Sequence, residues 1–410
     1  MAQENNHIRI LSQYFYPDVA STGQLLTELA IGLEEKGISV NVITAKPTYA
    51  GKLDAPKREI FHSVKIRRLR AIRMNKNSKK GQIFNSVSFF IRAFFHLLSS
   101  RSKTPVLIVS NPPFLPMMGY LMYLVRRIKY IILIHDVFPE KAIKLNYIKE
   151  NGLLSKFWKF WDKKSLQHAS SVIVISETMK QNLANKFQQY SIVDSEKLKV
   201  IHNWADENFI KPIRESDNKF VKENSLEGKY IVQYSGNLGA SYELEVIVEA
   251  AGKTLNEDIF YLFIGDGVKK HKLLKMVSER ALKNVSFMPY QTKEILPYSL
   301  TAASVSIVTY EKSMEGLLMP SKLYTTLASG RAVIAFCESN SEVGNIINTA
   351  KCGFSVDPSN VEELIEKIIF LRDNPEERCK MGNNARDYFE KTFTLKHSLQ
   401  KYLELIKTLN

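Results

Sequence analysis

The stretch Met319-Pro320-Ser321-Lys322-Leu323-Tyr324-Thr325-Thr326-Leu327-Ala328-Ser329-Gly330-Arg331 holds the residues best placed to bind an anion. It lies between two β-like runs, 305–310 and 332–336. Pro320 cannot continue a preceding helix, and Ser321 is a residue type that accepts an orphan amide, so a helix should start there. Leu323, Leu327 and Ala328 then share one helical face, and Gly330 ends the helix before a buried strand. In an α/β protein this order puts the helix N-terminus at the carboxyl edge of a sheet, where unpaired N–H groups point outward. Lys322 adds a full positive charge in the first turn. The plainer alternative is an ordinary strand–helix–strand unit with a solvated lysine.

His135 is a second candidate. It follows the apolar run 130–134 and precedes Asp136, with Glu140 four residues further on. A strand-end histidine is more often structural, yet functional residues concentrate at such edges. Gly23, next to Thr22, precedes the first helical pattern, and its missing side chain would let backbone approach a phosphate or a second substrate. A simple turn glycine is the equal alternative. Gly265-Asp266-Gly267 reads as a structural strand-end turn, too short for a dinucleotide fingerprint. No Asp-x-Asp pair lies in an apolar setting and no His/Cys spacing fits a metal, so the expected chemistry uses no metal and no cofactor.

Composition bounds these candidates. The chain has 410 residues, which suits two domains better than one, and the charged and apolar fractions of an ordinary globular protein. Cys337, Cys352 and Cys379 form no pair framework, as expected in a reducing compartment. The start of the chain is polar, without the pattern of a secretory leader. The longest uncharged apolar run, 114–125, stops at Arg126-Arg127, short of a membrane span.

The net charge of +15 is concentrated. Residues 41–104 carry 15 Lys/Arg and 2 Asp/Glu, with Arg67, Arg68, Arg70 and Arg73 at the centre. Nucleic acid or an anionic membrane surface would suit such a patch. The adjoining run 87–98 is rich in Phe and Leu, as in an interfacial helix, and this favours the membrane over nucleic acid. A buried core helix flanked by solvated charges is the alternative for that run.

Strand and helix signals alternate along both halves. Runs at 8–12, 40–43, 106–109, 130–134, 171–175 and 199–201 read as parallel strands of the first half, and 230–234, 259–264, 285–287, 305–308 and 333–336 as those of the second. Helical patterns include 23–33, 177–185 with Ser176 as cap, 243–251 and an amphipathic 395–409. The polar segment 206–228 reads as a linker. The architecture this supports is α/β, two doubly wound Rossmann-like domains facing across a cleft.

The run P-S-K-L-Y-x-x-L-A-S-G-R-x-V-I resembles the nucleotide-sugar segment of glycosyltransferase family 4, and looks closest to its WbuB-like N-acetylfucosamine-transferase branch. The resemblance continues in Gln13 to Asp18, Ser21 to Leu26, Ser110-Asn111-Pro112-Pro113, His135-Asp136-Val137-Phe138-Pro139-Glu140, Val200 to Trp204 and Tyr234-Ser235-Gly236-Asn237-Leu238-Gly239. It implies the GT-B fold, with an acceptor domain over 1–205, a linker over 206–228, a nucleotide-sugar domain over 229–390 and a last helix, 391–410, returning to the first domain. It implies that Lys322 neutralises the leaving diphosphate with Pro320, Ser321, Gly236 and Asn237 around it, that His135 bonds the donor sugar, that the base lies near Tyr290, and that Thr22, Gly23, Asp136 and Glu140 face the acceptor or its phosphate. The family's E-x7-E acids fall on Leu317 and Thr325, leaving Glu315 as the nearest acid for the sugar and Thr325 for the ribose. Its basic pair falls on Asn237 and Tyr242.

The activity so implied is a retaining, metal-independent transfer of a sugar, such as an N-acetylated deoxyhexose, from a UDP- or GDP-linked donor to a polyprenyl-diphosphate-linked saccharide. It would serve surface-polysaccharide assembly (O-antigen or capsule) at the inner face of the cytoplasmic membrane. A UDP-N-acetylhexosamine 2-epimerase-like isomerase, and a basic membrane or nucleic-acid binder with a vestigial cleft, are the alternatives.

Overall fold

The protein is described by a computed structural model covering residues 7–18, 20–47, 55–72, 74, 79–255 and 258–409. Arg73 lies outside them. The chain divides into two compact units. The first comprises Met1–Asn203, Gly316–Leu318 and Leu395–Asn410, the second Trp204–Glu315 and Met319–Thr394.

The first unit runs β1 (His7–Leu11), α1 (Ser21–Glu35), β2 (Ser39–Ala45), β3 (Arg58–Phe61), β4 (Val64–Leu69), α2 (Lys79–Ser99), β5 (Val106–Val109), α3 (Pro116–Arg126), β6 (Tyr130–Ile134), α4 (Glu140–Lys144), α5 (Leu153–His168), β7 (Ser171–Val174), α6 (Glu177–Gln189) and β8 (Leu198–Val200). The second runs α7 (Lys219–Glu223), β9 (Tyr230–Ser235), α8 (Glu245–Lys253), β10 (Ile259–Ile264), α9 (Lys270–Glu279), β11 (Val285–Met288), α10 (Leu296–Thr301), β12 (Val305–Thr309), α11 (Lys322–Ala328), β13 (Ala332–Phe336), α12 (Glu342–Ala350), β14 (Gly353–Val356), α13 (Val361–Asp373) and α14 (Pro375–Thr392). The last helix, α15 (Leu395–Lys407), belongs to the first unit.

The first sheet has the order β3-β4-β2-β1-β5-β6-β7-β8 and the second β11-β10-β9-β12-β13-β14. All pairings are parallel except β3 with β4. Order reverses at β1/β5 and at β9/β12, the switch points where doubly wound sheets bind ligands. Strands such as β5, β6 and β7 are buried along their whole length, which is why their sequences are uninterrupted apolar runs. Ser176 caps α6 by accepting from the Met179 amide at 3.2 Å.

The structure departs from the sequence reading in the basic segment. Residues 58–69 form a β-hairpin, turned by His62 and Ser63 at positive φ. Arg68 is fully buried there. It pairs with Glu59 at 2.6 Å and donates to the carbonyls of Tyr16 and Pro56 at 2.8 and 3.1 Å. One of the charges counted toward a membrane patch is therefore a core strut. Phe89, likewise, is wholly buried with Ala93 and Leu97 on the inner face of α2.

The segment 206–228 also departs. It packs onto the second unit: Phe220, Val221 and Leu226 are buried beside Ile231, Leu262 and Ile264. Arg386 on α14 donates to the carbonyls of Ile210 and Glu207 at 2.6 and 2.9 Å. Its polar composition reflects a surface wrap rather than a free tether.

Candidate active site

In the second unit the site is built at the carboxyl end of β9. Gly236 follows the strand at φ +146°, a conformation closed to side-chain-bearing residues, and a Cβ there would come within 3.0 Å of Lys322 Cε. Gly265, at φ +145°, would place a Cβ 1.9 Å from the Gly236 carbonyl oxygen. The Gly265-Asp266-Gly267 turn is thus structural: its glycines let two strand-end loops touch, and the Asp266 carbonyl accepts from the Leu238 amide at 2.9 Å.

Lys322 is the first residue of α11 and is 9% exposed. Its ammonium lies 3.6 Å from the Tyr242 ring centroid and 4.7 Å from that of Tyr234. Among the described residues no carboxylate pairs with it. Burial pushes its pKa down to about 7, because desolvation disfavours the charged form. Among the described residues the contacts given for this ammonium are to aromatic faces, which offset part of its desolvation. Tyr234 opens the Tyr234–Gly239 motif, but nothing in that motif gives its ring a role beside Lys322. Tyr242 was noted only as the residue replacing a family lysine.

Around it the predicted residues fall unevenly. Ser321 makes no side-chain cap bond, contrary to expectation, because it has helical φ/ψ itself (−59°, −23°). The turn closes instead through the Leu323 amide to the Pro320 carbonyl at 3.0 Å. The Thr325 hydroxyl donates to the Lys322 carbonyl at 3.0 Å. The Asn237 carbonyl accepts from Tyr234 Oη at 2.8 Å. Tyr290 is half-exposed, and its hydroxyl donates to the Asp266 carbonyl at 3.3 Å. Glu315, expected to meet the sugar, is held internally: it accepts from the Tyr310 hydroxyl and from the Glu342 amide at 3.2 Å, closing the start of α12.

In the first unit, Thr22 on the opening turn of α1 and His135 after β6 come together, Oγ1 to Nδ1 3.4 Å. Burial pushes the His135 pKa down to about 4 against the opposing pull of Asp136, so the ring is neutral at pH 7. Ser110, at the end of β5, accepts from the amides of His135 and Asp136 at 3.0 and 3.3 Å and fixes that loop. The face of Gly23 where a Cβ would lie is filled by the chain's own loop, Phe15 N at 3.3 Å and Asp18 O at 3.4 Å. Its lack of a side chain makes room for that loop rather than for a phosphate.

Asp136 pairs with Lys141 at 2.7 Å and Glu140 with Lys186 at 2.8 Å. Lys186 on α6 is the residue the sequence reading missed. Its buried ammonium also reaches Asp162 at 2.7 Å and donates to the Phe138 carbonyl at 2.7 Å. Burial alone would lower its pKa, but Asp162 and Glu140 outweigh that and hold it above the usual lysine value. It anchors the 135–140 loop from below. No motif marks it, since it sits in an ordinary amphipathic helix. Residues 316–318 complete this unit's edge, the Leu317 carbonyl accepting from Val137 N at 2.8 Å.

Among the described residues no group of three His, Cys, Asp or Glu could hold a metal ion. What the arrangement can do is hold an anion at Lys322 and, separately, present a neutral imidazole beside a hydroxyl.

Two doubly wound units, each with a largely parallel sheet and a site at its strand ends, have the architecture of the GT-B fold, and the family matches make the chain a glycosyltransferase. More particularly, residues 22–209 match the family described as Glycosyltransferase Family 4, and residues 215–388 match Glycosyl transferases group 1. The glycosyltransferase WbjE of Pseudomonas aeruginosa is 28% identical over 351 residues, covering 82% of this chain and 83% of that one. WcaI of Escherichia coli strain K12, named as a colanic acid biosynthesis glycosyl transferase, is 26% identical over 412 residues, covering 96% and 98%. The structure of Anabaena HepE in complex with UDP-glucose superposes with a TM-score of 0.73 at 15% identity, covering 98% of this chain and 99% of that one. The isomerase and binding-protein alternatives give way to a glycosyltransferase.

Proposed function

We propose that the enzyme moves a sugar from a UDP- or GDP-linked donor to a lipid-diphosphate-linked saccharide in the assembly of a surface polysaccharide. The observation that carries it is the buried ammonium of Lys322, paired with no carboxylate among the described residues, beside the carboxyl end of β9. A leaving diphosphate supplies the charge that this cation lacks, and stabilising that charge as it develops is the main catalytic requirement of such transfers. The surface-polysaccharide setting is supported by the name of WcaI, and a uridine nucleotide by the HepE complex. Retention of anomeric configuration, an N-acetylated deoxyhexose donor, a polyprenyl carrier and action at an anionic membrane face belong to the same proposal.

In this mechanism Lys322 takes the diphosphate charge as the glycosidic bond breaks, and Tyr290 stacks on the base. His135, neutral, bonds a donor hydroxyl and is itself oriented by Thr22. The acceptor hydroxyl attacks from the face being vacated and gives its proton to a donor phosphate oxygen, so no side chain is an obligatory base. A screen of UDP- and GDP-sugars for thermal stabilisation tests it, since a ligand at 100 times its Kd stabilises by about 2.7 kcal/mol. At least one should raise Tm for the wild type and fail to do so for Lys322→Ala. If no nucleotide sugar stabilises the wild type, the proposal falls.

A further inference from the structure

The helices α2, α3 and α5 are successive neighbours in one layer of the first unit, α2 against α3 and α3 against α5. Their inner faces are core. Their outer faces are not those of ordinary surface helices. On α2, residues Phe84, Val87, Ile91, Phe95 and Leu98 recur at helical spacing and are all exposed, Phe95 by 62%. On α5, Leu153, Phe157 and Phe160 share the outward side and are 88%, 53% and 55% exposed. Leu124 and Val125, at the end of α3, are exposed between them. Scattered exposed leucines need no explanation, but apolar stripes on two helices that flank a third do.

Charge decides what covers them. The three helices together carry eight Lys/Arg and one acid, Asp162, and that acid is consumed by Lys186. Lys156, Lys163 and Lys164 border the α5 stripe. An apolar ridge with a cationic margin, on helices whose one acid is already paired, fits an anionic bilayer, apolar side chains among the acyl chains and lysines at the headgroups.

We infer that the outer face of the α2–α3–α5 layer, with Leu153, Phe157 and Phe160 as its insertion edge, docks the enzyme on an anionic lipid membrane. This deepens the proposed function by naming the surface that meets the membrane, and rests on it only for the lipid linkage of the acceptor. It also moves the membrane face away from the β3–β4 hairpin, where Arg68 is a core residue.

The experiment is co-sedimentation with phosphatidylglycerol/phosphatidylcholine vesicles, without donor or acceptor. Wild type should bind at low salt, bind less to phosphatidylcholine alone, and retain part of its binding at high salt. The triple variant Leu153→Ser/Phe157→Ser/Phe160→Ser should lose about tenfold or more of its partition coefficient, as expected when several apolar side chains leave the interface. Lys156→Gln/Lys163→Gln/Lys164→Gln, which disturbs no packing, should lose mainly the salt-sensitive part. Thermal stabilisation by UDP-sugar, measured in parallel on both variants, should match wild type; this confirms the fold and keeps the donor assignment separate. Vesicle binding unchanged in both variants overturns the inference. So does a wild type that ignores anionic vesicles, and if sedimentation velocity then shows a dimer that the serine variant breaks, the ridge covers a second copy of the chain instead.

Discussion

At the scale of single residues, the proposed function concentrates on Lys322, a buried cation that no carboxylate among the described residues pairs. Replacing Lys322 by alanine removes the charge proposed to meet the diphosphate, and kcat/KM should fall by about a hundredfold or more, with the unfolding transition intact. Near-normal turnover in that variant would assign the lysine to packing alone. Its lowered pKa gives a sign to the pH dependence. In the free enzyme Lys322 is half-protonated near pH 7, and a bound diphosphate favours the protonated form. Binding above pH 7 therefore takes up a proton, and UDP affinity falls as pH rises through 7 toward the higher pKa of the complex. Calorimetry in buffers of different ionisation enthalpy measures that uptake; none at pH 8 would contradict the assignment. His135 sits on the other side of neutrality. With its pKa pushed down to about 4, it stays uncharged through the working range and acts as a neutral bonding group.

At the scale of elements, loops that carry these residues are held by groups remote from substrate. Lys186 ties α6 to the 135–140 loop through Glu140 and the Phe138 carbonyl, and to α5 through Asp162. Lys186→Met would leave the half-buried Asp162 and Glu140 without their cation, and should destabilise the protein by about 3 kcal/mol, the lower end for broken buried pairs. Adding Asp162→Leu should recover part of the loss, because an unpaired buried charge costs more than an absent pair. Urea unfolding measures both, and an unchanged midpoint for Lys186→Met would show that the cluster is solvated. The strand-end glycines do comparable work in the second unit: Gly265 gives the Gly236 carbonyl its space, and Gly236 gives the Lys322 stem its own.

At the scale of the whole molecule, the chain's end completes its beginning. Leu399 of α15 packs on Gly32 of α1, and Tyr402, Leu405, Ile406 and Leu409 are buried. A chain ending at Thr394 loses these side chains, each contributing about 1.5–3 kcal/mol. It should lose or strongly shift the unfolding transition of the first unit while the second unfolds as before. Residues 1–203 fused to 395–410 should recover that transition. Calorimetry of the three proteins decides it, and an unshifted first transition without α15 would be the contrary result. No metal cluster exists among the described residues, and transfer should survive excess EDTA. Loss of activity with rescue by Mg²⁺ or Mn²⁺ would place a metal in the reaction.

The sequence by itself determined the strands and their order of appearance, because a parallel strand buried on both faces must be a continuous apolar run. The stretches 106–109, 130–134 and 259–264 coincide with β5, β6 and β10. It also singled out Lys322 and His135, since each follows a strand end in a recognisable motif. It left β3, β4 and β14 unseen, because the edge strands β3 and β14 are only partly buried and β4, next to the edge, carries three basic residues, so all three look like surface loops. Only the tertiary structure decided which charges are free. Arg68 and Lys186 read like any surface cations, yet both are buried and paired with acids distant in sequence. Lys322 reads the same way, yet is buried without an acid among the described residues. Composition counts charges, but burial sets their energy, and burial depends on contacts that the local chain does not contain.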